Sequence, residues 1–254
     1  MYRNYTVYST RSAVRVYAGM PDIMPAERSV FDRERALIET GPVVDIGIGA
    51  GRTTGFLAPL CRHYVGIDYS PAMIAHCRRL FMESDALRLI LADAASMPML
   101  DSASFKFILF SFNGIDSVDH PHRLRILREV HRLLAPGGRF AFSAHNRFFS
   151  GIQRAPQFRR PLRLRGIART GVEFLNHWRA RRENFACGEY EMINDPPHLF
   201  SVITYYIDRR AQIAQLGREG FRVLAVFGAD GRELNDDADE TLSPNFTYLT
   251  ERRS

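Results

Sequence analysis

Lysine is almost missing from this chain: 33 of its 34 basic residues are arginine, and Lys106 stands alone. A skew that strong reads as the codon usage of the source, so abundant arginine by itself does not announce a nucleic-acid partner. Cysteine is scarce as well. Three residues, Cys61, Cys77 and Cys187, form no CxxC pair and make an odd total, which excludes a disulfide framework and a cysteine-rich zinc site; no metal site is expected, and a reducing, cytoplasmic setting is the simplest reading. Long apolar runs are also lacking. No window approaches the 18 or so uninterrupted apolar residues of a membrane span. The opening MYRNYTVYSTRSAVRVYAG has no apolar core of a secretory signal, so neither export nor a membrane partner is expected.

What is present is an ordinary globular composition, with 46% hydrophobic and 24% charged residues over 254 positions. That excludes a disordered or collagen-like chain and suits one domain with a modest insertion. The net charge of +6 is local, because residues 147–182 hold ten arginines against one acid, Glu173. An anion near that segment is one reading; a phosphate-tracking surface for RNA or DNA is its rival, although no nucleic-acid recognition motif accompanies it.

The pattern alternates strand and helix. Residues 27–40 have helical spacing and stop at Gly41-Pro42. VVDIGIGAG reads as a buried strand running into glycines, followed by a helix from Thr53 to Leu60. HYVGID, LRLILAD, SFKFILFSF and RFAFSAHN read as further strands. Ser70-Pro71 opens one intervening helix and PHRLRILREVHRLL is another, ended by Pro136-Gly137-Gly138. Parallel neighbours need crossovers long enough for a helix, so this rhythm predicts an α/β fold with a doubly wound, mostly parallel sheet. Regularity lapses for about 50 residues after Asn146, giving an Arg-rich insertion or lid over 147–200. It returns with a helix in YIDRRAQIAQLGREGF and two strand-like runs, RVLAVFGADG and NFTYLTER.

The sharpest constellation is the loop with Asp45, Gly47, Gly49 and Gly51. Missing side chains at a strand-to-helix turn let backbone N–H groups approach a ligand. Arg52 sits where the dinucleotide fingerprint wants glycine or alanine, and the lysine of a P-loop is absent. Two further acids, Asp68 and Asp93, end the next two strands, and carboxyl ends of such a sheet converge on one crevice. Asp68 is placed to accept both hydroxyls of a ribose and would repel a phosphate there. Asp93 and the Ala94 N–H suit an adenine edge, and Asp45 suits a cationic group. A ligand with adenine, an unphosphorylated ribose and a positive centre is S-adenosylmethionine.

VVDIGIGAGRTT, VGIDYSPAMI, LADAASMP and LREVHRLLAPGGRFAFS, in that order, resemble the class I S-adenosylmethionine-dependent methyltransferases of small-molecule type, over roughly 27–146 and 205–250. The resemblance implies a seven-stranded Rossmann-like methyltransferase fold spanning 1–254 as a single domain, with S-adenosylmethionine as cofactor. It also implies Tyr69 and Met73 as adenine contacts, and a substrate-facing loop in LFSFNGID that nominates Ser111, Asn113 and Asp116. The Arg-rich insertion has no counterpart in the family core.

His145 follows the fifth strand, so His145 or Asp116 is the candidate base, with Asn113 as positioner. Tyr17 is a candidate cover for the methionine end of the cofactor, and His198 a candidate acceptor contact. The expected acceptor is an oxygen or nitrogen of a small polar metabolite. The arginines of 147–182, interleaved with Phe148, Phe149, Phe158, Phe174 and Trp178, suggest an anion clamp and hence a sugar or nucleotide-linked sugar. A cofactor-binding scaffold without turnover is a further alternative. Asn194-Asp195-Pro196-Pro197-His198 resembles the Asp/Asn-Pro-Pro-aromatic tetrapeptide of amino-methylating nucleic-acid enzymes, but it lies in the insertion and lacks the aromatic residue, so it reads as a turn.

Overall fold

A computed structural model describes residues 2–20, 23–157 and 164–253. Its centre is β1 (Pro42–Ile46), β2 (His63–Asp68), β3 (Leu87–Leu91), β4 (Phe105–Phe110) and β5 (Leu134–Asn146), parallel and ordered β3-β2-β1-β4-β5. Beyond β5 run β10 (Asn245–Arg252), antiparallel to it, and β9 (Phe221–Gly228), antiparallel to β10. These are the seven strands the sequence leads one to expect.

Successive side chains of a strand point to opposite faces, and the strands here are apolar on both. Val44, Ile46, Ile108 and Phe110 join Ile126, Leu127 and Val130 of helix α7 (His120–Leu133) on one side. Val43, Phe107 and Leu109 join Val30 and Phe31 of α3 (Pro25–Arg33) and Ile38 of α4 (Arg35–Thr40) on the other. Burial on both faces is what makes parallel strands read as unbroken apolar runs. Between β1 and β3 lie the short α5 (Thr54–Leu57) and α6 (Pro71–Leu80), the latter capped by Ser70, whose Oγ accepts from Met73 N–H.

Four expectations are corrected. The helix of 27–40 is two, α3 and α4, meeting at Glu34. The helix after the glycine loop closes at Leu57. The first residues, read only as a polar segment, form α1 (Tyr2–Tyr8) and α2 (Arg11–Ala18), the second capped by Thr10 Oγ1 accepting from Ala13 N–H. The insertion is also far from irregular. It holds α8 (Leu164–Ala180), β6 (Phe185–Ala186), β7 (Tyr190–Asn194) and a left-handed turn labelled α9 (Pro197–Phe200); β8 (Ile203–Ile207) follows directly, and the sheet has ten strands among the described residues. Tyr206 and Ile207 therefore belong to a strand, and the following helix, α10 (Arg209–Arg218), starts only after Asp208, which accepts from Ala211 N–H.

The placement of β8 decides what the insertion does. His145 and Asn146 of β5 pair in parallel with Tyr206 and Ile207, while β10 pairs with His145 through Asn245. A strand has two edges, so β8 takes the one that β4 leaves free beyond Phe110. The insertion thus stands over the carboxyl end of β4, where doubly wound sheets bind ligands.

Candidate active site

The loop after β1 turns sharply because Gly47 and Ile48 N–H both donate to Ile67 O, at 2.7 and 3.1 Å. Gly49 lies in the left-handed region at φ 54°, and nothing stands within 4 Å of where its Cβ would be. That gap opens on a cavity of about 560 Å³ at the carboxyl edge of the sheet. Gly51, at φ 90°, has a different role: a Cβ there would meet the Phe81 ring at 2.5 Å, so it seats α6 and does not line the cavity.

Asp68, at the end of β2, lines the cavity beside the glycine loop. Its Oδ2 accepts from Gly49 N–H at 2.9 Å and its Oδ1 from Ser70 N–H at 2.8 Å. Burial pushes its pKa up to about 6, against the pull of those two donors. Tyr69, Met73, Ala94 and Ser111 line the same space. Asp45 and Asp93 do not. Asp45 is wholly buried behind the loop, where its Oδ2 accepts from Thr53 Oγ1 at 2.5 Å and Tyr64 Oη at 2.7 Å, and its Oδ1 has no partner. Burial raises its pKa to about 7, moderated by those bonds. Asp93 accepts from His122 Nε2 and from Ala95 N–H, both at 2.9 Å; partial burial is outweighed by these donors, and its carboxyl sits below the usual range.

Across the cavity, β4 ends in a left-handed pair, Phe112 (φ 52°) and Asn113 (φ 56°), the second held by its N–H donating to Ser143 Oγ at 2.7 Å. Two adjacent non-glycine residues in that region are strained, a state that persists only where the surroundings impose it. The turn brings Asn113 Nδ2 to 3.2 Å from His145 Nε2, while His145 Nδ1 is 2.8 Å from Asp116 Oδ2. Asp116 is fully buried and also binds Arg123 Nη1 at 2.5 Å. The carboxylate accepts the proton at Nδ1, which leaves the Nε2 lone pair on the side of Asn113. All three nominated residues, Asn113, Asp116 and His145, line the cavity.

Sequence reasoning missed one part of the wall, a buried ion pair. Arg52 reaches Glu27 with both Nη atoms at 2.6 Å, touches Ser111 Oγ at 3.1 Å and lies 5.5 Å from the Phe112 ring centroid. The signal available was Arg52 itself, whose place after the glycines excludes dinucleotides but also marks a charge aimed at the loop. The cover was legible only in Tyr17. Tyr8 and Tyr17 line the cavity from α1 and α2, and His198 packs against both, its Nε2 3.5 Å from Tyr17 Oη. His198 itself is not in the wall; its neighbour Pro197 is. Asn4 fastens this cover, donating to Ser117 O and Ile203 O at 2.7 Å and accepting from Ile203 N–H at 3.0 Å.

Arg159, Arg160 and Arg163 lie outside the described residues, so the arginine clamp is followed only through the other arginines of the segment. Among the described residues of 147–182, none lines the cavity. Arg147 holds the insertion together through Gly188 O and Glu191, Arg154 pairs with Glu191, and Arg169 pairs with Glu173. Phe158 lies outside the described residues. Asn194 and Asp195 are structural, as a turn requires: Asn194 Nδ2 donates to Phe200 O and Val202 O, and Asp195 accepts from Thr204 Oγ1 and Tyr206 Oη.

Residues 43–138 match the family described as Methyltransferase domain. A demethylmenaquinone methyltransferase of Clavibacter sepedonicus is 34% identical over 97 residues, 38% of this chain and 38% of that protein. A malonyl-[acyl-carrier protein] O-methyltransferase of Methylococcus capsulatus is 29% identical over 104 residues, 40% of this chain and 36% of that one. The chain thus spans little more than a third of the length of these curated relatives. Among solved structures, the Burkholderia thailandensis 1,6-didemethyltoxoflavin-N1-methyltransferase, crystallised with 1,6-didemethyltoxoflavin and S-adenosylhomocysteine, superposes with a TM-score of 0.63 at 12% identity, covering 99% of this chain and 87% of that one. The CcbJ methyltransferase of Streptomyces caelestis gives 0.63 at 15% identity, covering 93% and 92%.

Proposed function

We propose that this chain methylates an oxygen or nitrogen of a small, largely planar acceptor; residues 43–138 match the family described as Methyltransferase domain, and the chain shares the fold of a solved methyltransferase crystallised with S-adenosylhomocysteine. The observation that carries the reading is that Asp68 with its glycine loop and His145 with its buried carboxylate line one cavity.

The cofactor fits the first half of that cavity on this chain's own features. Gly49 leaves space where any side chain would intrude, and Asp68, held by Gly49 and Ser70 N–H, presents acceptors suited to two vicinal hydroxyls. Tyr69, Met73 and Ala94 would flank the base. Bound S-adenosylmethionine supplies a methyl group on a sulfonium, an electrophile that needs no covalent enzyme intermediate.

The other half belongs to the acceptor. Asp116 keeps the ring in the Nδ1–H form, the Nε2 lone pair accepts from Asn113 Nδ2 in the unliganded site, and on binding the acceptor's O–H or N–H displaces that bond and gives its proton to Nε2. Of the two candidate bases His145 is therefore preferred; Asp116, committed to Arg123 and His145, orients it. Tyr8, Tyr17 and Phe112 put aromatic surface along the cavity wall. These aromatic walls, without an arginine of the insertion among the described lining residues, suit a flat ring such as the heterocycle named for the toxoflavin enzyme. They give no support to a sugar phosphate.

Incubating the protein with methyl-labelled S-adenosylmethionine and a panel of hydroxylated or aminated aromatic and heterocyclic acceptors tests the reading. Transfer to at least one, abolished with His145→Ala while S-adenosylhomocysteine still binds, is the expected result. Binding without transfer to any acceptor would make the chain a scaffold.

A further inference from the structure

Helix α8 is built inside out. Its packed side is polar: Asn176 Nδ2 donates to Leu199 O at 3.0 Å, and His177 Nδ1 lies 2.9 Å from Asn194 Oδ1. Its outward side is apolar. Ile167, Phe174, Leu175 and Trp178 are each 44–57% exposed; from Ile167 through Gly171 to Phe174 or the adjacent Leu175, and from either to Trp178, each step is three or four residues, so they form one stripe along the helix. A surface helix of a soluble domain normally has the reverse arrangement, and an apolar stripe of this kind marks an interaction site.

The charge around the stripe selects its occupant. Arg179 lies beside Trp178, and exposed Arg181 and Arg182 follow at the carboxyl end. A second copy of this chain meeting the same face about a twofold axis would bring those arginines together. An anionic lipid surface satisfies both features, taking the rings into the interface and the guanidinium groups onto the headgroups. Among the described residues no helix is long and apolar enough to cross a membrane, and lying on one needs no such length.

We propose that α8 docks the protein on anionic membrane surfaces. The site does not depend on the methyl-transfer reading, but it bears on it. The inner side of α8 grips α9, and Pro197 of α9 lines the cavity, so the docking helix and the cavity wall are joined through α9.

Trp178 is the chain's single tryptophan and reports directly on this face. The full chain is titrated with vesicles of phosphatidylcholine, and of phosphatidylcholine with added phosphatidylglycerol, following Trp178 emission and co-sedimentation. A blue shift with anionic vesicles, at least tenfold weaker without phosphatidylglycerol and weakened by salt, is the expected result. Phe174→Glu and the pair Arg181→Glu, Arg182→Glu should each reduce binding at least tenfold while thermal unfolding and S-adenosylhomocysteine affinity stay unchanged. Absence of binding to anionic vesicles, or equal binding by Phe174→Glu, overturns the proposal. A blue shift that grows with protein concentration without lipid, together with a dimer mass, assigns the face to a second copy and overturns it too.

Discussion

Asp116 grips His145 twice: one carboxylate oxygen accepts both from the main-chain N–H, at 2.6 Å, and from Nδ1, at 2.8 Å. The ring therefore cannot turn without losing a charge-assisted bond, and Nε2 is committed to the side where Asn113 and the cavity lie. His145→Ala should lower kcat by roughly 100- to 10,000-fold, the usual contribution of a positioned base, with the affinity for S-adenosylhomocysteine unchanged. Single-turnover kinetics beside calorimetry checks both halves.

Asp116 has a second duty. Arg123 is fully buried and bonds to Asp116, Gln212, Gln215 and Ile115 O. Removing one partner of a buried pair leaves an uncompensated charge, so Arg123→Met should destabilise the fold by about 3–5 kcal/mol. Urea denaturation measures it.

Asp45 makes stability depend on pH in the direction opposite to most carboxylates. Its folded pKa is raised to about 7, so protonation favours the folded state; that advantage is complete below the unfolded pKa of about 4 and is lost as pH climbs through about 7. Asp45→Asn, which keeps an acceptor for Thr53 or Tyr64, should therefore be more stable than the parent at pH 8, by up to on the order of 4 kcal/mol, and close to it at pH 4. Denaturation curves at the two pH values decide this.

The glycines of the loop should separate. At Gly49 a methyl meets nothing within 4 Å, so Gly49→Ala costs only about 1–2 kcal/mol for the left-handed backbone while weakening cofactor binding. At Gly51 the methyl runs into Phe81, so Gly51→Ala loses more stability. Parallel melting and S-adenosylhomocysteine titrations of the two variants give the contrast.

Asn4 holds the cover with three hydrogen bonds to Ser117 and Ile203. Asn4→Ala leaves those backbone groups unpaired, a cost of about 1–3 kcal/mol per buried group. Faster hydrogen exchange across α1 and α2, with the sheet unaffected, is the expected signature.

The parts of this architecture fixed by local chemistry were legible beforehand. Ser70 and Pro71 start α6 as their types dictate, and the glycine loop with Asp68 needs only strand-to-helix spacing to be found. Asn113 and Asp116 follow from the resemblance of LFSFNGID to a family's substrate-facing loop, and His145 from where the fifth strand ends. What escaped were features that need long-range partners. Glu27 and Arg52 are 25 residues apart and meet only once α3 packs beside the loop. Asp93 Oδ1 accepts from His122 of α7, a contact that no spacing in the sequence announces. The insertion escaped because β6 to β8 are short and take their order from β5, which no periodicity announces. Arg147 and Arg154 are spent on Glu191 within the insertion, a pairing that composition does not announce.

Everything proposed for the site rests on Asp68 gripping a ribose, and calorimetric titration with S-adenosylhomocysteine tests that most directly. The parent should bind at pH 7.5 and weaken as pH falls below about 6, where the Asp68 carboxylate takes up a proton. Asp68→Ala should bind roughly 100-fold or more weaker, through the loss of two bonds to a charged acceptor. No binding by the parent, or equal affinity in Asp68→Ala, would contradict the account.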